Sequence, residues 1–555
     1  MSDQHKSMHE VAGFLGLDQQ DWIPYGLGRA KLRLDVLEHV RPRPSARYVL
    51  VTAINPTPLG EGKTTTSIGL AMGLCRLGHR AVPTLRQPSI GPVFGIKGGG
   101  AGGGRAQLFP MSDVNLHLTG DAHAVAAAHN LLAAFVDNHI FHGNDLGIVA
   151  DSITWPRAMA VSDRALRHVQ IAMDRAPLGR SGEFVITEAS EVMAILALAK
   201  DGNDLQRRLE RIMIGLGGDR KPVSAADLRC AGAMAALLQE ALMPNLVQTS
   251  EGTPALVHAG PFGNIAHGNC SILADAMALR YADYVVTEAG FGSDLGAEKF
   301  FNIKCRVSGL VPRVAVLVVT LRALKLHGGG GTVKSGHPLP AGLVGPNPEA
   351  LERGMENMQQ HLANVRAHGI PVVAAINAFR DDPPDELEWV RTKALAGGAC
   401  AAAVATHFMD GGRGAETLAK VVVEACEQPS SFTALYRDTD SIKQKIELIA
   451  TRIYGAEAVR YEAEAERQIE TATALGFGSL PICMAKTPLS LSHDASLLGR
   501  PRGFTVPIKE LRILAGAGFL TAVCSGMQLM PGLPKRPAGE RIGVDPQTGE
   551  IHGLF

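Results

Sequence analysis

The stretch RYVLVTAINPTPLGEGKTTTSIGLAMGLCRLG, residues 47–78, decides the architecture. A branched apolar segment runs into the loop Thr57-Pro58-Leu59-Gly60-Glu61-Gly62-Lys63-Thr64, and the loop runs into an amphipathic helix. Binding a phosphate takes several backbone N–H groups aimed inward and the positive end of a helix dipole. Glycines at the tight bends, with a helix starting just after, supply both. In such a P-loop Lys63 meets the β- and γ-phosphates and the Thr64 hydroxyl ligates Mg²⁺. One departure from G-x-x-x-x-G-K-[ST] stands out: the first glycine is replaced by Thr57. A glycine-rich turn with a surface lysine is the plainer reading, and the agreement of strand, loop and helix argues against it. The loop by itself specifies a nucleoside triphosphate and names no reaction.

Outward from this stretch, short apolar runs recur at 48–54, 284–287, 314–320 and 371–376, each bounded by turn residues, as strands covered on both faces are. Helical patterns at 226–242 and 350–367 lie between or beyond them. This alternation predicts an α/β fold, a P-loop NTPase-like, mostly parallel sheet with helices on both faces, plus smaller α/β domains. With 555 residues, about 150 per domain suggests about three or four units. The expected division is a large nucleotide-binding domain over 1–330, a second α/β domain over 331–480 and a small C-terminal domain over 481–555. The first break follows the Gly/Pro-rich stretch GGGGTVKSGHPLPAGLVGPNP.

Composition narrows the function classes. Apolar residues make up 46% and charged residues 19%, an ordinary globular balance. Lys+Arg and Asp+Glu number 54 each, so no global field draws the chain to nucleic acid or to an anionic membrane. The N-terminus lacks the order of a signal peptide, and no apolar run approaches a membrane span, which points to a soluble cytoplasmic protein. Eight cysteines are scattered without a C-x-x-C pair, so reduced thiols are expected.

A second anion-binding stretch is TLRQPSIGPVFGIKGGGAGGGRAQLFPMSDVNLHLTGDAHAV. Arg86 follows an apolar run, and 98–104 holds six glycines, which allow close backbone approach to a ligand or a flexible loop. His117, Asp121 and His123 share one polar segment. Asp121 suits catalysis or ligand orientation, and equally the capping of a helix over 122–135. His123 and His129 read as hydrogen-bonded surface histidines.

These blocks, with NLVQTSEGTPALVHAGPFGNIAHGNCS, ADYVVTEAGFGSDLGAEKFFNIKCR, LPICMAKTPLSLS and GAGFLTAVCSGMQLMPGLPK, resemble the formate–tetrahydrofolate ligases in their free-standing form, over about 25–555. The resemblance implies joining formate to N10 of tetrahydrofolate with cleavage of ATP, through formyl phosphate. It implies that Lys63 and the loop hold ATP with Mg²⁺, that Arg86 grips formyl phosphate, and that Asp121 acts near N10. Asn377 and Phe379 fall at the adenine position, where Arg380 replaces a proline-like residue. The pterin is implied to lie between Phe300 and Phe408, the latter at a position usually Trp. Gln87 stands where many bacterial members carry Glu, so a monovalent cation site is expected to be weak or absent. Members are commonly homotetramers. Two other classes share the phosphate loop: a carboxylate-activating ligase with a different acceptor, and a nucleotide-switch ATPase, which Pro58 disfavours.

Overall fold

The computed structural model describes residues 5–58, 60–97, 99–171, 179–218, 220–263, 266–333 and 338–554. Leu59 and Gly98 lie outside them. A twelve-stranded sheet dominates. Its strands are β1 (Trp22–Pro24), β2 (Ala30–Leu32), β3 (Arg47–Ala53), β4 (Ala81–Leu85), β5 (Gly102–Gly103), β6 (Ala106–Phe109), β7 (Asn245–Thr249), β8 (Pro254–Val257), β9 (Tyr284–Glu288), β10 (Val314–Val319), β11 (Val372–Asn377) and β12 (Ala401–Ala405). The order across it is β1-β2-β7-β8-β4-β9-β3-β10-β11-β12, with β6 pairing β7 and β5. From β8 to β12 all neighbours are parallel, and the β1, β2, β7 edge is antiparallel.

The apolar runs form strands because both faces are covered. Along β3, Tyr48 and Leu50 face one core, whereas Val49, Val51 and Ala53 face the other, against Leu70, Ala71 and Leu74 of α1 (Lys63–Arg76). Each such fully buried aliphatic side chain contributes about 1.5–3 kcal/mol. Gly69 and Gly73, one turn apart on α1, bring the helix against the segment 407–415. A Cβ at Gly69 would lie 2.5 Å from His407, and one at Gly73 3.0 Å from Ala415.

A second sheet holds β13 (Ala458–Tyr461), β14 (Ile482–Ala485), β15 (Thr505–Leu514) and β16 (Phe519–Cys524), in the order β13-β15-β16-β14, over its own core. The expected divisions after 330 and after 480 both fall inside a hydrogen-bonded sheet. β11 and β12 continue the large sheet beyond residue 330, and β13 joins strands from beyond 480. The described parts of the Gly/Pro-rich stretch, 328–333 and 338–347, lie between helices Leu321–His327 and Pro348–Arg366 and include the short helix Ala341–Val344; turn signals alone do not distinguish such a connection from a linker. None of the eight cysteines, all of them among the described residues, forms a disulfide.

Candidate active site

Parallel strands end on one rim, and open α/β sheets bind ligands there. Six segments meet on it, following β4, β9, β3, β10, β11 and β12 in spatial order.

The phosphate loop follows β3 and enters α1. Gly62 sits in the left-handed region at φ 74°, and a Cβ there would lie 2.6 Å from Asn377 Nδ2, so only glycine fits. Asn377, at the end of β11, donates from Nδ2 to the Glu61 carbonyl at 3.2 Å. Glu61 is itself 2% exposed and turned inward. Its carboxylate accepts the Thr57 backbone N–H at 2.7 Å and the hydroxyl of Thr320, which follows β10. Thr57, standing where a glycine is usual, thus directs its N–H to a carboxylate of the same loop. Glu61 braces the loop, with both carboxylate oxygens engaged by protein donors.

Thr64, on the first turn of α1, donates its hydroxyl to Glu288 Oε2 at 2.7 Å. Glu288 ends β9, the strand between β3 and β4. Its other oxygen lies 3.5 Å from Nε of Arg86, which follows β4 and donates from Nη1 to the Pro261 carbonyl at 3.2 Å. One carboxylate therefore touches both the phosphate-loop hydroxyl and the guanidinium. An apolar strand ending in an acid beside the loop strand is the sequence signal for it, in YVVTE. The hydroxyl of Thr64 and the carboxylate of Glu288 are hard oxygen donors side by side at the loop mouth, a pair that suits Mg²⁺ completed by phosphate oxygens and water.

Around Arg86 the wall is polar and dry. Gln87 Nε2 and both ring nitrogens of His267 are buried without a hydrogen-bond partner among the described residues. Burial, with Lys304, Lys299 and Arg86 nearby, drives the His267 pKa well below the ordinary value. Glu188 is buried behind Ser89, and burial pushes its carboxyl up to about 7. A buried unsatisfied group calls for an explanation, and a catalytic or ligand-binding role is among those available.

Asp121 opens helix α2 (Asp121–Phe141), with Gly120 as its N-cap. It is 2% exposed. Lys31 Nζ reaches it at 2.8 Å, Asn245 Nδ2 at 2.7 Å and Thr119 Oγ1 at 3.1 Å. Burial lowers the Lys31 pKa, and the carboxylate partly opposes this. Asn245 pairs with Val257 and Val257 with Leu85, so Asp121 sits on the same rim. It is displaced from β4 by two strand spacings, about 10 Å.

The two aromatic rings are not brought together. Phe300 is 0% exposed and packs near Tyr48 and Phe301, in the core on the side of the sheet opposite α1. It presents no face to a ligand in this conformation. Phe408 is 48% exposed and lies against Gly103 and Gly104, the latter held at φ 58°. The backbone N–H of Arg105 donates to the Phe408 carbonyl at 2.8 Å, so the glycine run is hydrogen-bonded into the rim. Phe379 carries the guanidinium of Arg322 3.8 Å from its ring centroid. Of the histidines, His123 meets His117 at 2.8 Å, whereas His129 is buried, bonded to the Pro156 carbonyl and stacked on Trp155. The expectation of a surface residue fails for His129 because it lies on the inward stripe of α2 with Val125 and Leu132.

Beneath the loop, Asn55 donates from its side-chain amide to both carboxylate oxygens of Asp294 at 3.3 Å, and its backbone N–H donates to His361 Nε2 at 3.0 Å. Lys486, from the C-terminal region, pairs with Asp294 at 2.6 Å with both side chains fully buried.

This rim offers N–H groups and a lysine for a triphosphate, oxygen donors for a divalent cation, and a guanidinium for a second anion, all contiguous. The whole chain, residues 1–555, matches the family model described as formate–tetrahydrofolate ligase. It is 53% identical over 551 residues to a formate–tetrahydrofolate ligase of Saccharopolyspora erythraea, covering 99% of this chain and 97% of that one. Formate–tetrahydrofolate ligase 3 of Rubrobacter xylanophilus is 52% identical over 560 residues, with 99% and 97% covered. The Desulforamulus reducens enzyme of the same name is 51% identical over 548 residues, with 98% and 96% covered. With matches of this extent and a rim built for two anions, the chain belongs to the formate–tetrahydrofolate ligase family.

Proposed function

We propose that this protein ligates formate to N10 of tetrahydrofolate at the expense of ATP, giving 10-formyltetrahydrofolate, ADP and phosphate by way of formyl phosphate, in one-carbon metabolism. The observation that carries the proposal is the continuous link Thr64–Glu288–Arg86, which joins the phosphate loop to a guanidinium two strand spacings away. Formate is a poor acyl donor because oxide leaves badly, and phosphorylation makes that oxygen part of a good leaving group.

Lys63 and the loop N–H groups hold the triphosphate, with Thr64 and Glu288 as the residues for Mg²⁺. When bound, the ion offsets phosphate charge that would repel formate. Arg86 presents a planar fork that matches carboxylate oxygens first and phosphate oxygens after transfer. Most of the rate comes from alignment and charge stabilisation. Asp121 has its oxygens taken by Lys31, Asn245 and Thr119, so it orients the neighbouring wall and does not accept the N10 proton in this arrangement. Asn377 and Phe379 border the adenine position, and Phe408 supplies the exposed aromatic face for the pterin. Gln87 lacks the charge that would hold K⁺ or NH₄⁺ strongly, so activation by monovalent cations is weak. A homotetramer is proposed, which a net charge of +0 does not oppose. A cytoplasmic setting is proposed with it, and no helix among the described residues is long and apolar enough to cross a membrane.

The test is formate- and tetrahydrofolate-dependent ADP release, with product read by absorbance as methenyltetrahydrofolate after acidification. Lys63→Ala should abolish turnover, and ready turnover by that variant would remove the phosphate loop from the mechanism.

A further inference from the structure

Glu288 ends the strand that separates the phosphate loop from Arg86, paired in register with both flanking strands. Its side chain is 4% exposed, so water screens it little. One oxygen accepts the Thr64 hydroxyl at 2.7 Å and the other faces Arg86 Nε at 3.5 Å. A single carboxylate therefore holds the hydroxyl that a divalent cation would take and faces the guanidinium that an anion would take. The Arg86 contact is longer than a well-formed charged hydrogen bond. The guanidinium is held in place without being fully satisfied.

We propose that Glu288 is a positioning residue that couples the two sites: a divalent cation on the nucleotide draws the Thr64 oxygen and the Glu288 carboxylate toward itself and releases the charge of Arg86 for formate. A dication beside the carboxylate reduces its pull on the guanidinium, and an anion on the guanidinium in turn frees the carboxylate for the cation. Linkage requires the two effects to be equal in free energy, and couplings of this type span about 5- to 150-fold in affinity. Nucleotide without the cation does not engage Glu288, and its uncompensated phosphate charge leaves formate affinity no higher than in the free protein.

This inference rests on the assignment of the phosphate loop and Arg86 made above. Its test is calorimetric titration of formate into the full-length protein under three conditions: alone, with a non-hydrolysable ATP analogue in EDTA, and with the same analogue and Mg²⁺. The expected result is affinity tighter by about 5-fold or more only in the third condition. In Glu288→Gln, formate alone binds more tightly than to the nucleotide-free wild type, and the Mg²⁺ effect falls below about twofold. A merely structural role for Glu288 would shift melting temperature and leave the Mg²⁺ dependence intact. Wild-type formate affinity indifferent to Mg²⁺ with analogue, or a coupling preserved in a folded Glu288→Gln, overturns the proposal. Should the variant fail to fold, the wild type decides by comparing formate alone with formate plus analogue and Mg²⁺: offset of phosphate charge only restores the affinity of the free protein, so a complex that binds formate no more tightly than the free protein overturns the proposal. If Lys63→Ala binds the analogue as tightly as wild type, the phosphate-loop assignment is at fault; if binding needs Lys63 and formate ignores it, only the coupling is.

Discussion

Replacing Glu61 separates a brace inside the phosphate loop from a contact with the nucleotide. In the folded chain its carboxylate accepts the Thr57 N–H at 2.7 Å and the Thr320 hydroxyl. Thr57 is 7% and Thr320 0% exposed, so water does not replace either bond. Glu61→Ala orphans two buried donors at about 1–3 kcal/mol each, about 2–6 kcal/mol together. If about 2 kcal/mol of this falls on the bound-state loop, KM for ATP rises about 30-fold, since 1.4 kcal/mol is a factor of ten. Glu61→Gln behaves differently. Its amide oxygen keeps Thr57, and its NH₂ donates to Thr320 Oγ1, whose hydroxyl rotates away. The loss is about 1 kcal/mol, or about fivefold in KM. The assay is steady-state kinetics at saturating formate and tetrahydrofolate, with direct nucleotide titration alongside. An alanine variant with unchanged KM for ATP would refute the brace. A glutamine variant as damaged as alanine would show that charge, and not hydrogen-bond geometry, is what matters.

Three further outcomes are expected. Glu191 accepts the Gly516 and Ala517 N–H groups at 2.7 and 3.1 Å, and burial pushes its carboxyl from 4.5 up to about 8. Between those values the unfolded chain loses its proton first, so this group's contribution to stability falls as pH rises from about 4.5 through 8 and is level above; melts of wild type and Glu191→Gln at pH 5.5 and 8.5 should diverge by that trend, and a constant gap would contradict it. Asp121→Ala leaves Lys31 buried without its counter-ion, costing about 3–5 kcal/mol in urea unfolding, and adding Lys31→Met should recover most of it; a wild-type unfolding midpoint for the single variant would count against the buried pair. Phe408→Ala should raise KM for tetrahydrofolate about tenfold, in line with about 1.5 kcal/mol for a lost aromatic contact, and leave KM for ATP nearly unchanged; an equal rise in both would place the ring elsewhere.

Much of the fold was legible because its signals are local. Four apolar runs bounded by turn residues became β3, β9, β10 and β11 within a residue or so, and strand, loop and helix over 47–78 formed as read. What escaped were relations between distant segments. Glu288 is one acid at a strand end, and only the strand order, which places β9 between β3 and β4, gives it two partners. Glu61 looks like a loop residue facing the ligand until Thr320, far along the chain, claims its second oxygen. Phe300 carries a motif that says aromatic without saying which way the ring points, and burial against Tyr48 turned it inward. The division after 330 rests on turn-rich sequence and the one after 480 on the look of a compact C-terminal segment, and sheets join across both.

The fully buried pair of Lys486 and Asp294, which underlies Asn55 at the foot of the phosphate loop, has a consequence for biosynthesis. The loop leaves the ribosome early, yet the cation that neutralises its foundation is translated among the last segments. A nascent or prematurely terminated chain ending before Lys486 leaves the Asp294 carboxylate without the cation it is buried with, so the foot of the loop gains its full support only when the last segments have been made.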